Sequence, residues 1–127
     1  MAQGTAHIGA ARYRTRIEVG DHALTADEPE SLGGGNLGPA PFDLLVAALG
    51  ACTAITLKMY AENKGWPLES LDVALTLSGG KDARRIDRVL TIAGLDDAQK
   101  AKLADVAERT PLTLTLKSGV PIDTRLA

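Results

Sequence analysis

Cys52 is the only cysteine of the 127-residue chain, and it stands inside an uncharged run, LLVAALGACTAITL, from Leu44 to Leu57. As a thiolate it would attack an electrophilic oxygen or sulfur; as a thiol among apolar neighbours it is a small hydrophobe. Ionisation needs a nearby cation and partial exposure. A helix dipole does not supply the charge, because Cys52 lies 11 residues after Pro41 and the dipole's influence fades within the first turn. Another segment has to bring it, such as Arg12, Arg14 and Arg16, which recur at every second position and so share one face of a strand. On the residues alone, both readings of Cys52 stand: packing residue and nucleophile.

The other chemistry-bearing residues read as structural. His7 lies in a Gly/Ala-rich leader and His22 in a turn after Gly20-Asp21. With no further ligands at short spacing, neither suggests a metal site, and no resident cofactor is expected. Asp27, Glu28 and Glu30 read as solvated charge in a Pro-containing loop. Gly33-Gly34-Gly35-Asn36-Leu37-Gly38 has the spacing of G-x-G-x-x-G. It lacks the strand before it, and Pro39 and Pro41 stand before the next helix, so dinucleotide binding is not expected.

The elements that must position Cys52 follow from periodicity. Residues 1–10 read as a loose terminus. From residue 11 the chain alternates, with Tyr13, Thr15, Ile17 and Val19 on one face and Arg12, Arg14, Arg16 and Glu18 on the other. A turn at Gly20-Asp21 then leads to a second strand, His22 to Ala26. Residues 27–40 form a long Gly/Pro-rich loop. A helix is expected from Pro41 to about Asn63, with Pro41 and Asp43 suited to its first turn and Gly65 and Pro67 beyond its end. A second hairpin follows, Leu71, Val73, Leu75 and Leu77 facing Ile86, Val89, Leu90 and Ile92. Asp96 to Arg109 reads as an amphipathic helix carrying Ala98, Leu103, Val106 and Ala107. Pro111 to Ser118 is ambiguous, and Val120 to Leu126 reads as a last strand. The expectation is a single α+β domain over residues 1–127, ordered β-β-α-β-β-α-β.

The net charge is −2 with both signs interspersed, so there is no basic stripe of the kind that nucleic-acid binding needs. The 14-residue uncharged run is shorter than a membrane span, and the N-terminus has no apolar signal-peptide core. These features lead to the expectation of a cytoplasmic protein with no nucleic-acid or membrane partner. The central helix is apolar all round and rich in small residues (Ala47, Ala48, Gly50, Ala51, Ala54), and such a helix has to be buried all round. With one Phe, one Trp and two Tyr, the chain has little bulk to wrap it. A homodimer that packs two such helices together resolves the mismatch; the alternative is a sheet curling round the helix within one monomer.

The pattern Gly38-Pro39-x-Pro41-x-x-Leu44-Leu45-x-Ala47-Ala48-Leu49-x-Ala51-Cys52-Thr53 resembles the OsmC/Ohr family of osmotically inducible and organic-hydroperoxide-resistance proteins. Lys58-Met59-Tyr60-Ala61, Gly65-Trp66-Pro67-Leu68 and Gly119-Val120-x-Ile122-x-Thr124-x-Leu126 extend the likeness. With Asp27-Glu28-Pro29 and Gly33-Gly34 it is similar to the short OsmC-like branch, over roughly residues 12–126. The resemblance implies an intertwined α+β homodimer with the long helices at its centre. It also implies that Cys52 matches the peroxidatic cysteine, with an arginine among Arg12, Arg14 and Arg16 as thiolate activator, Arg14 being the candidate. In active members a second cysteine resolves the sulfenic acid as a disulfide, which a dithiol reduces.

Two departures bear on that cycle. The family's C-P-V-x-x-T-L stretch corresponds to Thr110-Pro111-Leu112-Thr113-Leu114-Thr115-Leu116, so the resolving sulfur is replaced by a hydroxyl. The glutamate that follows the helix-starting proline in Ohr-type members corresponds to Phe42, with Asp43 one residue later. The resemblance therefore implies either a one-cysteine organic hydroperoxide reductase served by an external thiol, or a non-catalytic dimer. The dimer would bind a small apolar ligand or sense peroxide through Cys52. A purely structural dimer is the third reading.

Overall fold

The structure, a computed structural model, describes residues 2–127. The chain divides into two compact units, one ending at Leu45 and the other Val46–Ala127.

The first unit holds a three-stranded antiparallel sheet in the order β1-β2-β3, with β1 Gly4–Ile8, β2 Thr15–Val19 and β3 His22–Ala26. The β2–β3 hairpin closes as its turn residues predict, with Thr15 opposite Ala26 and Val19 opposite His22. β1 was not expected: Gly4 to Ile8 pairs with Val19 to Thr15 and places strand structure where a loose terminus was read. His7 therefore lies in β1 and His22 opens β3, and both are exposed. The alternation over β2 is as predicted, with Thr15, Ile17 and Val19 half-buried and Arg16 and Glu18 exposed. β2 starts at Thr15, so Arg12 and Arg14 precede it.

Helix α1, Pro41–Lys64, has the bounds its caps dictate. Asp43 Oδ2 accepts from the Ala40 N–H at 3.0 Å at the start. At the end, the Gly65 N–H donates to Glu62 and the Trp66 N–H to Ala61. That doubled bond requires a left-handed residue, and Gly65 has φ +70°. Trp66 then folds its ring edge-on to Tyr60, with centroids 5.6 Å apart.

In the second unit, β4 Ser70–Ser78 and β5 Arg85–Ala93 form an antiparallel pair from Ser70–Ala93 to Ser78–Arg85. α2, Asp97–Ala107, opens on a capping box in which Asp96 and Gln99 exchange side-chain-to-backbone bonds. Its apolar face buries Leu103 and Ala107 and half-buries Val106, while Ala98 stays exposed. The core cluster is Leu57, Leu103 and Ala107, with Tyr60, Trp66, Leu71, Leu90, Ile92, Leu95 and Val106 packed round it. Full burial of Leu57 and of Leu103 each contributes about 1.5–3 kcal/mol.

Two readings near the C-terminus change. Pro111–Ser118 is a helix, α3, capped by Thr110 and with Pro111 in its first turn. Val120 to Leu126 forms no strand: it pairs with no strand among the described residues, and Val120, Ile122 and Leu126 are exposed, Ile122 at 87%. A strand exists only as part of a ladder, and this segment finds none within the chain. The class remains α+β.

Candidate functional site around Cys52 and Arg88

Only four residues of α1 are buried: Leu49, Thr53, Leu57 and Ala61, a stripe with a spacing of four. The opposite side carries Ala48, Ala51, Ile55 and Met59, all exposed, Ile55 at 54% and Met59 at 63%. The expected all-round burial is therefore absent from the single chain, because its few elements cover one side of the helix. By length and composition α1 is also long enough and apolar enough to cross a membrane. The uncharged run of residues 44–57 is shorter than a span, but the helix continues beyond it at both ends.

Cys52 is half-buried at the border between the two stripes. Its Sγ lies 3.9 Å from the Thr56 hydroxyl, one turn on. Thr53, the next residue, is fully buried. Its hydroxyl donates back to the Leu49 carbonyl at 2.7 Å and accepts from Arg88 Nη1 at 2.9 Å.

Arg88 was not among the residues read as functional. It sits on the inward face of β5 with Ile86, Leu90 and Ile92, and that alternation is the signal that could have found it. Its side chain is 13% exposed. Nη1 also donates to Thr113 Oγ1 at 3.0 Å, and Nη2 donates to the Ala107 carbonyl at 2.8 Å. The guanidinium thus ties β5 to α1, the end of α2 and the start of α3. Glu108 is the nearest carboxylate, 3.9 Å away and 61% exposed, and it is held more closely by Lys117 at 3.0 Å. The Lys117 hydrogen bond and charge hold the Glu108 carboxyl below its usual range, with Arg88 and Arg109 adding to the effect.

Thr110 completes the cluster. Fully buried, it places Oγ1 2.6 Å from Thr113 Oγ1 and accepts the Thr113 N–H at 3.3 Å, capping α3. Three successive contacts, of 2.6, 3.0 and 2.9 Å, lead from Thr110 through Thr113 and Arg88 to Thr53. The second unit therefore brings together the residue beside Cys52 and the position where the resemblance would put a second sulfur.

Arg14 lies in the first unit. It is exposed, and its charge acts on Asp27. Asp27 corrects the reading of DEPE as solvated charge, since it is buried and accepts from the N–H groups of Glu28 (2.8 Å), Gly35 and Leu37 (3.2 Å each). The Glu28 N–H above all holds its carboxyl below the usual range; those of Leu37 and Gly35 and the charge of Arg14 add to this, and burial opposes it. Glu30 is exposed, as read. The glycine run is a backbone device wrapped on this carboxylate. A Cβ on Gly34 would run into the Glu28 carbonyl and lie 2.9 Å from Asp27 Oδ1. A short 3-10 turn, Glu30–Leu32, precedes the glycines where a dinucleotide site would need a strand.

A family model described as OsmC-like protein matches residues 33–125, which include α1, the Arg88 cluster and the C-terminal segment. The chain belongs to the OsmC/Ohr family. No curated protein matches the sequence. Among solved structures, an OsmC-like protein from Mycoplasma pneumoniae superposes with TM-score 0.78 at 20% identity, covering 92% of this chain and 87% of its own. An organic hydroperoxide resistance protein OsmC from Legionella pneumophila gives 0.69 at 22%, covering 92% and 89%. The organic hydroperoxide resistance protein OhrB of Bacillus subtilis gives 0.66 at 21%, covering 92% and 90%. At these identities the likeness shows the OsmC fold, which this chain shares.

Proposed function

We propose that this OsmC-family protein is a one-cysteine reductase of organic hydroperoxides, working in the cytoplasm with Cys52 as nucleophile. The Cys52 thiolate attacks the terminal peroxide oxygen; the O–O bond breaks, the alcohol leaves with a proton, and Cys52 becomes a sulfenic acid. Two equivalents of an external thiol then reduce it, giving water, a disulfide and the free cysteine. The chain has no second cysteine to resolve the sulfenic acid internally. Arg14 is the cation assigned to the thiolate in this reading.

The observation that carries the reading is the position of Cys52: half-buried at the edge of an exposed apolar stripe, within the matched family region. An apolar border favours an apolar hydroperoxide over a hydrated one. The same stripe, with the unpaired Val120–Leu126 segment, supports a homodimer in which a second copy covers both.

The test is to treat the purified protein with cumene hydroperoxide and follow intact mass with a dimedone trap. A single dimedone adduct at Cys52 is expected, and none at modest peroxide excess would overturn the reading. Turnover is then assayed separately with lipoamide, glutathione and thioredoxin systems. Thr110 favours a second reading, a non-catalytic dimer that binds an apolar ligand or senses peroxide, because a helix cap stands where a resolving sulfur would act. Stoichiometric oxidation of Cys52 without turnover in any thiol system would select the sensor.

A further inference from the structure

We propose that Arg88 is a positioning residue for Cys52, the tie that fixes the Cys52 turn of α1 against the ends of α2 and α3. The inference rests on the reading of Cys52 as the reactive thiol, but its structural half can be tested without peroxide.

Arg88 occupies an inward position of β5 that its neighbours fill with Ile86, Leu90 and Ile92. A cation in such a place is costly unless its donors are met. Here three of its N–H donors go to neutral acceptors from three helices: Thr53 of α1, the Ala107 carbonyl of α2 and Thr113 of α3. The planar guanidinium fixes the directions of its donors, so the three helices are held in one mutual geometry. Thr53 is the α1 member of that set, and it is the residue next to Cys52.

Helix α1 needs such a tie. Its buried contact is one residue wide per turn, and small residues (Ala47, Ala48, Gly50, Ala51 and Ala54) surround Cys52. Within one chain, so narrow a stripe does little to oppose rotation of the helix about its axis, and rotation would carry Cys52 from the border into the core or out to solvent. Thr110 contributes through Thr113. Its contact at 2.6 Å and its cap on the Thr113 N–H fix the hydroxyl that Arg88 engages. The position that carries sulfur in two-cysteine relatives thus serves here to hold the arginine tie.

The experiment compares full-length wild type with Arg88→Met, Arg88→Lys, Thr53→Val and Thr113→Val. Three readouts are taken: the rate of Cys52 alkylation by iodoacetamide, the rate of its oxidation by cumene hydroperoxide, and amide hydrogen exchange across residues 49–57. Arg88→Met is expected to change the ratio of the two rates by about tenfold or more, since misplacing a reacting atom by about 1 Å can cost a hundredfold. It should also speed exchange over that stretch. Arg88→Lys, with the charge but not the fork, should fall between wild type and Arg88→Met. A ratio within twofold of wild type together with unchanged exchange in folded Arg88→Met overturns the proposal. If Arg88→Met does not fold, the two Thr→Val variants decide by the same criteria. Should wild-type Cys52 prove inert to hydroperoxide, the functional reading falls, and the tie is judged on alkylation and exchange alone.

Discussion

Replacing Thr53 by Val keeps the shape of a fully buried side chain and deletes one acceptor. In the wild type, Thr53 Oγ1 accepts from Arg88 Nη1 at 2.9 Å while its own proton goes to Leu49. In Thr53→Val one N–H of a largely buried guanidinium faces a methyl group, an orphaned donor that costs about 1–3 kcal/mol. In an Arg88→Met background the same change removes an acceptor that nothing addresses. The Thr113 hydroxyl keeps Thr110 and the Ala107 carbonyl as partners, so no buried donor is stranded. The double-mutant cycle should therefore give a coupling of about 1–2 kcal/mol, with Thr53→Val nearly neutral when Arg88 is absent. The assay is urea unfolding of all four proteins at one protein concentration, read as midpoints at constant slope, because a dimer would make stability depend on concentration. If Thr53→Val costs the same in both backgrounds to within about 0.5 kcal/mol, the hydrogen bond does not support the fold as argued.

Leu57→Ala, at the centre of the core cluster, should destabilise the protein by about 2–5 kcal/mol in the same assay; a loss well under 1 kcal/mol would mean that the site is not packed as described. Gly34→Ala should open the loop that encloses Asp27, because the new methyl group meets the Glu28 carbonyl; unchanged amide exchange at Gly35 and Leu37 would refute this. Asp105 is lowered to about 2, first by the hydrogen bond from Arg109. Its ion pair is therefore complete above the ordinary value of 3.8 and is lost only as the pH falls through about 2. An NMR titration of the carboxyl carbon should show that low midpoint, and one near 3.8 would contradict it. The pair is exposed, so global stability should barely respond. On the dimer proposal, light scattering should find wild type a dimer and Ile55→Asp, on the exposed stripe of α1, a folded monomer; a wild-type monomer in dilute solution would remove the proposal at its root.

Helix α1 was legible to within a residue, because its signals are local: Pro41 at the start, and Gly65 in the left-handed conformation at the end. The strand β1 was not, since its alternation (Ala6 and Ile8 against Thr5 and His7) is short, rests on small residues and buries none of them, and it becomes a strand by pairing with β2. Pro111–Ser118 illustrates the reverse conflict. Leu112, Leu114 and Leu116 alternate like a strand, yet a capping Thr110 and a proline in the first turn make a helix. Asp27 looked solvated because DEPE is polar, and its burial depends on N–H groups eight and ten residues away. Arg88 was legible in principle, as the charged member of an inward Ile86, Arg88, Leu90, Ile92 series. Such an intruder on an apolar face needs partners, and finding which ones requires the fold.

Where the resemblance would put a sulfur, the hydroxyl of Thr110 is therefore more than a missing redox partner. A thiol is a poor acceptor, whereas Thr110 accepts a backbone N–H and contacts the hydroxyl that Arg88 engages. Placing a cysteine there would weaken the cap of α3 and the support of the guanidinium together. If Cys52 is reactive, its setting depends on a hydrogen-bonded cluster that a second sulfur would disturb. On the proposed reading, a hydroxyl at residue 110 both leaves the sulfenic acid without internal resolution and keeps Cys52 ordered, so the reductant would come from outside the chain.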